Sequence, residues 1–130
     1  MVRAVNGIKN ILIVEDDKDM REIYEIFFSD QKDKYLFDFE SNAEEALKKL
    51  KVKKYDLVLL DIIMEPMSGD AFFMHVRKEM GEDLKDIPIL VVSVLSPSIL
   101  RQLKKINHVD FAQKPVTKEQ LLDKIKAIIG

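Results

Sequence analysis

The residues best suited to chemistry are acidic side chains that stand where apolar segments end. Asp61 follows the apolar run 57–60, and Glu15 and Asp16 follow the run 11–14. Open α/β sheets keep their active crevices at the carboxyl ends of parallel strands. If the two runs form neighbouring strands, the three carboxylates converge. Mg²⁺ commonly takes one or two protein carboxylates and fills its other positions with water and phosphate oxygens. The pattern therefore predicts a Mg²⁺ site with room for a phosphoryl group.

Two further apolar segments end in groups that can bind phosphoryl oxygens. The run 89–92 ends at Ser93, a hydroxyl donor, and the segment 109–113 is followed by Lys114, a compact positive charge. Each group has an ordinary structural interpretation as well, because Ser93 could cap a helix and Lys114 could be a surface residue at a turn. Their occurrence in chain order with the acidic strand ends favours one shared site.

Five strand-like segments alternate with five helical patterns along the whole chain. Segments 11–14, 57–60 and 87–92 are continuously apolar, which is typical of central strands covered by helices on both faces. Segments 35–39 and 109–113 contain polar residues and are predicted to be sheet edges. The alternation predicts a flavodoxin-like, three-layer α/β domain of the (βα)5 type, with a five-stranded parallel sheet in the order 2-1-3-4-5. That order places the acidic ends of strands 1 and 3 side by side.

Apolar residues at helical spacing predict the five helices. The first predicted helix carries five such residues on one face, namely Met20, Ile23, Tyr24, Phe27 and Phe28. Asp17 is interpreted as an acid that favours the N-terminal dipole of this helix. The third predicted helix spans roughly residues 69–80. N-terminal capping signals for the second, fourth and fifth helices are Ser41 with Glu44, Ser96 with Pro97, and Thr117 with Gln120.

Composition limits the classes of protein to which the chain can belong. A length of 130 residues with 47% hydrophobic content suits one domain. The chain has no cysteine, which excludes disulfides and thiolate metal sites. Its 21 basic and 23 acidic residues lack the charge excess of a dedicated nucleic-acid binder. The apolar stretch 87–95 is too short for a membrane helix. A cytoplasmic protein is expected, in which residues 1–8 form a short lead-in.

The chain resembles a response-regulator receiver domain of two-component signalling, and is similar to the single-domain chemotaxis regulators. The resemblance covers residues 9–130 and rests on four separated motifs in order: Ile11–Asp17; Tyr55–Met64 with Met67-Ser68-Gly69; Ile87–Ser93; and Phe111–Pro115.

The resemblance implies a role for each matching residue. Asp61 is implied to be the phosphoacceptor, and Asp16 the principal metal carboxylate. The implied metal set is completed by Glu15, Asp61 and the backbone carbonyl of Ile63. The groups implied to hold the phosphoryl oxygens are Ser93 and Lys114. Phe111 corresponds to an aromatic residue that turns inward on activation, although simple edge-strand packing explains it equally well. A cis peptide bond between Lys114 and Pro115 is also implied.

The implied function is Mg²⁺-dependent phosphotransfer from the phosphohistidine of a sensor histidine kinase, or of a phosphotransfer protein, to Asp61. The phosphorylated chain would be a phosphoprotein that switches a downstream protein partner through the face of helix 4, strand 5 and helix 5. No direct contact with nucleic acid or membrane is implied. The chain would not be an enzyme for an external substrate, since it would catalyse only its own aspartyl phosphorylation and dephosphorylation.

Three residues depart from the family pattern, and two of them, Glu65 and Val94, keep an alternative open. Glu65 stands where proline is usual, Val94 where a small residue is usual, and Ile63 where a polar side chain is frequent. The alternative is a degenerate receiver that binds a protein partner without accepting phosphate. Two enzyme-class alternatives fit poorly. The Asp-x-Asp of aspartyl-phosphate hydrolases is absent at residues 61–63, and no Gly/Ser/Thr-rich loop follows strand 1 to hold a flavin phosphate.

Overall fold

Nine secondary-structure elements are present in the part of the chain that the structure describes. The computed structural model describes residues 7–61, 86–105 and 107–130. The elements are β1 (Lys9–Val14), α1 (Lys18–Phe28), β2 (Tyr35–Glu40), α2 (Ala43–Val52), β3 (Leu57–Leu60), β4 (Ile89–Ser93), α3 (Pro97–Leu103), β5 (Val109–Gln113) and α4 (Lys118–Ile129). The predicted third helix lies outside the described residues. Consequently α3 and α4 are the fourth and fifth predicted helices.

The five strands form one parallel sheet in the order β2-β1-β3-β4-β5, as predicted. In the register of β1 and β3, Val14 lies beside Leu60. The ladder continues past the strand ends, because the Asp61 N–H donates to the Val14 carbonyl at 3.2 Å. The chain therefore delivers Glu15 and Asp61 to neighbouring positions at the carboxyl edge of the sheet.

Two hydrophobic clusters cover the two faces of the sheet. Successive strand side chains point to opposite faces, so each central strand contributes to both clusters. The α1/α4 cluster contains Ile13, Leu59, Tyr24 and Leu121 among others. The α2/α3 cluster contains Val14, Leu60, Leu47 and Leu103 among others. All residues of β1 from Ile11 onward, and all of β3, are buried, which confirms the central position predicted for both strands.

The helix starts confirm two of the three predicted capping signals and correct the other. Ser96 caps α3 with Pro97 in the first turn, and Thr117 with Gln120 forms the capping box of α4. For α2 the predicted Ser41 is wrong. Asn42 is the N-cap instead, because its extended backbone directs its side-chain oxygen to the Glu45 N–H at 2.9 Å.

The predicted apolar face of α1 is also too wide. Tyr24 and Phe28 are buried, and Met20 and Phe27 pack at the margin of the α1/α4 cluster. Ile23 is 40% exposed, because it lies on the flank of the helix beyond the reach of the sheet. Asp17 is the N-cap of α1 and accepts the Asp19 N–H at 3.0 Å, in agreement with its interpretation as a helix-start residue. Within the described ranges, no helix combines the length and the apolar content that a bilayer crossing requires.

Candidate functional site

The predicted site residues that meet at the carboxyl edge of the sheet are Glu15, Asp16, Asp61, Ser93 and Lys114. Asp61 follows β3 and is 8% exposed, and Ser93 at the end of β4 is fully buried. The Ser93 hydroxyl donates to Asp61 Oδ1 at 2.7 Å, and Lys114 Nζ donates to Asp61 Oδ2 at 2.9 Å. Each oxygen of the Asp61 carboxylate thus has its own donor, one neutral and one charged. This arrangement holds the carboxylate in one orientation.

Lys114 bridges two buried carboxylates. Its Nζ also donates to Glu15 Oε1 at 2.8 Å, and the Glu15 side chain is only 2% exposed. One ammonium therefore faces two carboxylates, which leaves an excess of negative charge in a poorly solvated place. Burial of charge without full compensation is costly, so the cluster favours an additional cation.

The pKa values of Glu15 and Lys114 are shifted by burial and by their contact with each other. Burial raises the pKa of Glu15, although the Lys114 ammonium opposes that change. Burial alone would lower the pKa of Lys114, but its hydrogen bonds to Glu15 and Asp61 outweigh that effect and raise it. Lys114 is therefore protonated at neutral pH and supplies a positive charge to the site.

The acidic residues also satisfy the predicted requirements of a metal centre. One carboxylate oxygen from each of Glu15, Asp16 and Asp61 lies within 4.8 Å of the others. Asp16 is exposed, so the cluster is open to solvent on one side. Oxygen donors with open positions are the set that Mg²⁺ prefers. Ile63, whose carbonyl was predicted as a further ligand, lies outside the described residues, as does Glu65.

Hydrogen bonds connect the end of β4 to the end of β5. The Lys114 N–H donates to the Ser93 carbonyl at 2.9 Å, and the Gln113 side-chain amide donates to the Leu95 carbonyl at 3.2 Å. The Lys114–Pro115 peptide bond is cis, as predicted. The two groups that contact Asp61 from β4 and β5 are therefore also held to each other.

Phe111 lies on the same edge strand at the margin of the α2/α3 cluster and is partly buried. Lys124 of α4 places its Nζ 5.7 Å from the centre of the Phe111 ring and 3.2 Å from Asp110 Oδ1. The ring is thus in contact with β5, α4 and the core at once. This position of Phe111 suits both edge-strand packing and a role as a switch residue.

Arg21 is a site residue that sequence reasoning missed. Its guanidinium donates to the Glu15 carbonyl at 2.8 Å and ties α1 to the end of β1. Its backbone N–H donates to the carbonyl of Asp17, one helical turn earlier. The position of Arg21 in the first turns of α1 could have predicted this contact, because a long basic side chain there lies beside the loop that precedes the helix.

Comparison with known proteins identifies the family. The family model described as the response regulator receiver domain matches residues 11–126. The chain therefore belongs to the receiver domains of two-component response regulators. A curated relative is the response regulator ArlR of Staphylococcus haemolyticus, 27% identical over 125 residues that cover 92% of this chain and 52% of ArlR. The transcriptional regulatory protein FlgR of Helicobacter pylori is 36% identical over 115 residues, or 88% of this chain and 28% of FlgR.

The chain spans about half the length of the ArlR proteins that it matches. Those relatives therefore extend beyond the matched domain. Among solved structures, the response regulator TrrA of Thermotoga maritima, in complex with Mg²⁺ and BeF, is 30% identical with a TM-score of 0.76. The match covers 92% of this chain and 98% of TrrA. The chemotaxis response regulator CheY4 of Vibrio cholerae, 24% identical over 93% of this chain and 98% of its own, has a TM-score of 0.81 and shows the same fold.

Proposed function

We propose that this receiver accepts a phosphoryl group on Asp61 from the phosphohistidine of a sensor histidine kinase or a phosphotransfer protein. The observation that carries the proposal is the Asp61 carboxylate, which has Ser93 on one oxygen, Lys114 on the other and an acidic cluster beside it. A carboxylate of this kind can act as a nucleophile toward phosphorus.

In the proposed step an Asp61 oxygen attacks phosphorus in line and forms a P–O bond. The P–N bond to the donor histidine breaks, and its electron pair remains on the imidazole nitrogen. Lys114 and Ser93 then donate to the oxygens of the transferred group. A Mg²⁺ ion held by Glu15, Asp16, Asp61 and the proposed Ile63 carbonyl would neutralise charge on that group. The chain would catalyse only its own phosphorylation and dephosphorylation.

The proposed output is a change in a protein-binding face made by α3, β5 and α4. Ser93 donates to Asp61, the proposed phosphoacceptor, and the bonds from Lys114 and Gln113 join the end of β4 to β5. Phe111 on β5 contacts α4 through Lys124. A switch needs a local change and an element with two arrangements. These contacts link Asp61 to β5 and α4 of the proposed face. The near balance of basic and acidic residues favours a protein rather than a nucleic acid as the partner.

The phosphate-independent alternative has little support in the described residues. Val94, one of its two supports, is 60% exposed, and Glu65 lies outside the described residues. The chemistry requires four groups at the strand ends, namely Asp61, Asp16, Ser93 and Lys114. Asp61 is hydrogen-bonded to Ser93 and Lys114, and Asp16 lies beside it in the acidic cluster. The experiment below separates the two functions.

Intact-mass measurement with acetyl phosphate tests the proposal. The wild-type chain should gain one phosphoryl group in the presence of Mg²⁺, and the label should be lost in alkali, as expected for an acyl phosphate. Asp61→Asn should gain none, because an amide is a poor nucleophile. Asp56→Asn, at the opposite end of the same strand, is the matched control and should be labelled like wild type. Equal labelling of Asp61→Asn and wild type would overturn the assignment.

A further inference from the structure

Tyr24 is a buried polar residue that the proposed chemistry does not use. It is 2% exposed, and its hydroxyl makes no hydrogen bond with any residue in the described part of the chain. A buried hydroxyl without a partner normally costs free energy comparable to a lost hydrogen bond. Phenylalanine would fill the same space in the core without that cost. The hydroxyl therefore calls for a physical explanation.

The position of Tyr24 relates it to the acidic site. Tyr24 packs in the α1/α4 cluster with Ile13 and Leu59. Strand alternation places the residues two positions further along, Glu15 and Asp61, on that same face of the sheet. The backbone bonds that continue the ladder past Val14 and Leu60 preserve this alternation, since both Glu15 and Asp61 donate their N–H groups to a neighbouring strand.

The expected direction of the Tyr24 side chain also brings its hydroxyl toward the acidic site. Helical side chains lean toward the N-terminus of their helix, and α1 begins three residues after Glu15. The ring is held in place by stacking, since its centre lies 5.9 Å from that of Phe28, with the planes 3° apart. The charges of Glu15 and Asp61 add to burial in raising the pKa of the Tyr24 hydroxyl, which agrees with a position near both carboxylates.

The proposed function changes the balance of charges above this hydroxyl. Lys114 supplies the only side-chain donor to Glu15 among the described residues, and it would also donate to the phosphoryl oxygens. A phosphoryl group would therefore compete with Glu15 for the Lys114 donor that now compensates its charge. Glu15 is almost fully buried and cannot replace that donor with bulk water.

We propose that Tyr24 is a positioning residue of the acidic site. Its hydroxyl donates a hydrogen bond to the Glu15 carboxylate from the core side when the cation and the phosphoryl group occupy the exposed side. The inference rests on the proposed function, because it assigns a role in the loaded state of that site. Tyr24 would not touch the reacting atoms and would act only through Glu15.

The test compares Tyr24→Phe with Tyr35→Phe. Tyr35 is a matched control because it is 3% exposed and belongs to the same cluster, but it stands at the start of β2, at the opposite end of the sheet. Each variant loses one oxygen atom and keeps its ring. The rate of labelling by acetyl phosphate is measured against Mg²⁺ concentration, and thermal unfolding without Mg²⁺ is measured in parallel.

Tyr24→Phe should raise the Mg²⁺ concentration for half-maximal rate by roughly three- to tenfold, the effect of one hydrogen bond. Its rate at saturating Mg²⁺ should stay within about twofold of wild type, and its melting temperature should not fall. Tyr35→Phe should leave the Mg²⁺ dependence unchanged. In a Glu15→Gln background the Tyr24→Phe change should have no further effect on that dependence, because the two residues act together.

Two results would overturn the inference. One is a Mg²⁺ dependence of Tyr24→Phe equal to that of wild type. The other is an equal shift in Tyr35→Phe, which would mean that the core has only loosened. If Asp61→Asn abolishes labelling while either result is obtained, only the role of Tyr24 fails. If Asp61→Asn is still labelled, the proposed function itself fails.

Discussion

Lys114 is the residue on which the charge balance of the site depends. Its ammonium lies 2.8 Å from Glu15 Oε1 and 2.9 Å from Asp61 Oδ2, and both carboxylates are buried. Removing one partner of a buried ion pair leaves uncompensated charge, whereas an exposed pair contributes little. The same lysine is therefore expected to matter for stability before any phosphoryl group arrives.

Lys114→Ala should lower the free energy of unfolding by about 3 kcal/mol in the absence of Mg²⁺. Mg²⁺ should restore part of this loss, since it supplies positive charge to the same carboxylates. The variant should keep some labelling at Asp61, because the lysine supports the phosphoryl group but does not attack it. Urea unfolding with and without Mg²⁺ measures the effect on stability.

Lys118→Ala is the control for that measurement. Lys118 pairs with Asp30 at 2.8 Å, but both side chains are substantially exposed. Its loss should change the free energy of unfolding far less than Lys114→Ala does, because solvent screens an exposed pair. Equal destabilisation by the two alanine variants would contradict the charge balance described for the site.

At the scale of elements, ion pairs fasten helix α2 to the edge strand β2. Lys53 Nζ lies 2.7 Å from Asp38 Oδ2, and Lys49 Nζ lies 3.4 Å from Glu40 Oε2. The Tyr55 hydroxyl, just before β3, donates to the same Asp38 oxygen at 2.5 Å. Asp38 thus joins three consecutive elements, and its contribution to stability should depend on pH.

Burial opposes ionisation of Asp38, but the bonds from Lys53 and Tyr55 outweigh it and place its pKa below the ordinary value of 3.8. The folded state then binds a proton less tightly than the unfolded state, so the stabilisation is complete above that value and is lost as pH falls through the folded pKa. Asp38→Asn should cost about 1 kcal/mol at neutral pH, and the difference from wild type should shrink in more acidic solution. Urea unfolding across this pH range measures it.

Glu45→Gln is the matched control, because the Glu45–Lys48 pair is exposed on α2. It should produce a small difference that hardly depends on pH. A constant Asp38→Asn difference down to pH values well below 3.8 would contradict the assigned role of the ion pair.

Most of the arrangement of strands and of site residues is predictable from the sequence. The sheet order, the parallel pairing and the meeting of Glu15, Asp61, Ser93 and Lys114 follow from apolar runs that end in chemical groups, because parallel strands bring their ends to one edge. The α2 cap does not follow from such a pattern. Ser41 and Asn42 are both good caps, and only the backbone dihedral angles select the second.

Side-chain contacts within the site were predictable only in part. A 3.6-residue period places Ile23 and Tyr24 on the same stripe of α1, yet one is 40% exposed and the other 2%. The difference depends on how the helix rotates against the sheet. Likewise the lysine at the end of β5 was predicted for phosphoryl oxygens, and its present bonds to both carboxylates depend on distances that no sequence pattern carries.

At the scale of the whole molecule, a bound cation should stabilise the entire fold. Glu15, Asp16 and Asp61 come together only in the folded chain. A Mg²⁺ ion held by them would bind the native state and should raise the free energy of unfolding with ligand concentration, by about 2.7 kcal/mol at a hundred times the dissociation constant. Asp16→Ala should lose most of this gain. Thermal unfolding over a Mg²⁺ series measures it.

Asp19→Ala is the control, since Asp19 is an exposed acid in the first turn of α1 and is not a member of the cluster. Its melting temperature should rise with Mg²⁺ as that of wild type does. An unchanged Mg²⁺ response in Asp16→Ala would show that the metal assignment is wrong.

The contact between Lys114 and Glu15 joins residues that are 99 positions apart. Loops of that length close late in folding, because their entropic cost must be met before the contact forms. The Asp61 carboxylate lacks its Lys114 donor until the last strand has docked beside β4. In a refolding time course, pulses of acetyl phosphate should therefore label chains that have completed their sheet faster than chains in which β5 has not yet docked. The rate of phosphorylation would then report how far the sheet has formed, and a partly folded receiver would respond more slowly than a completely folded one.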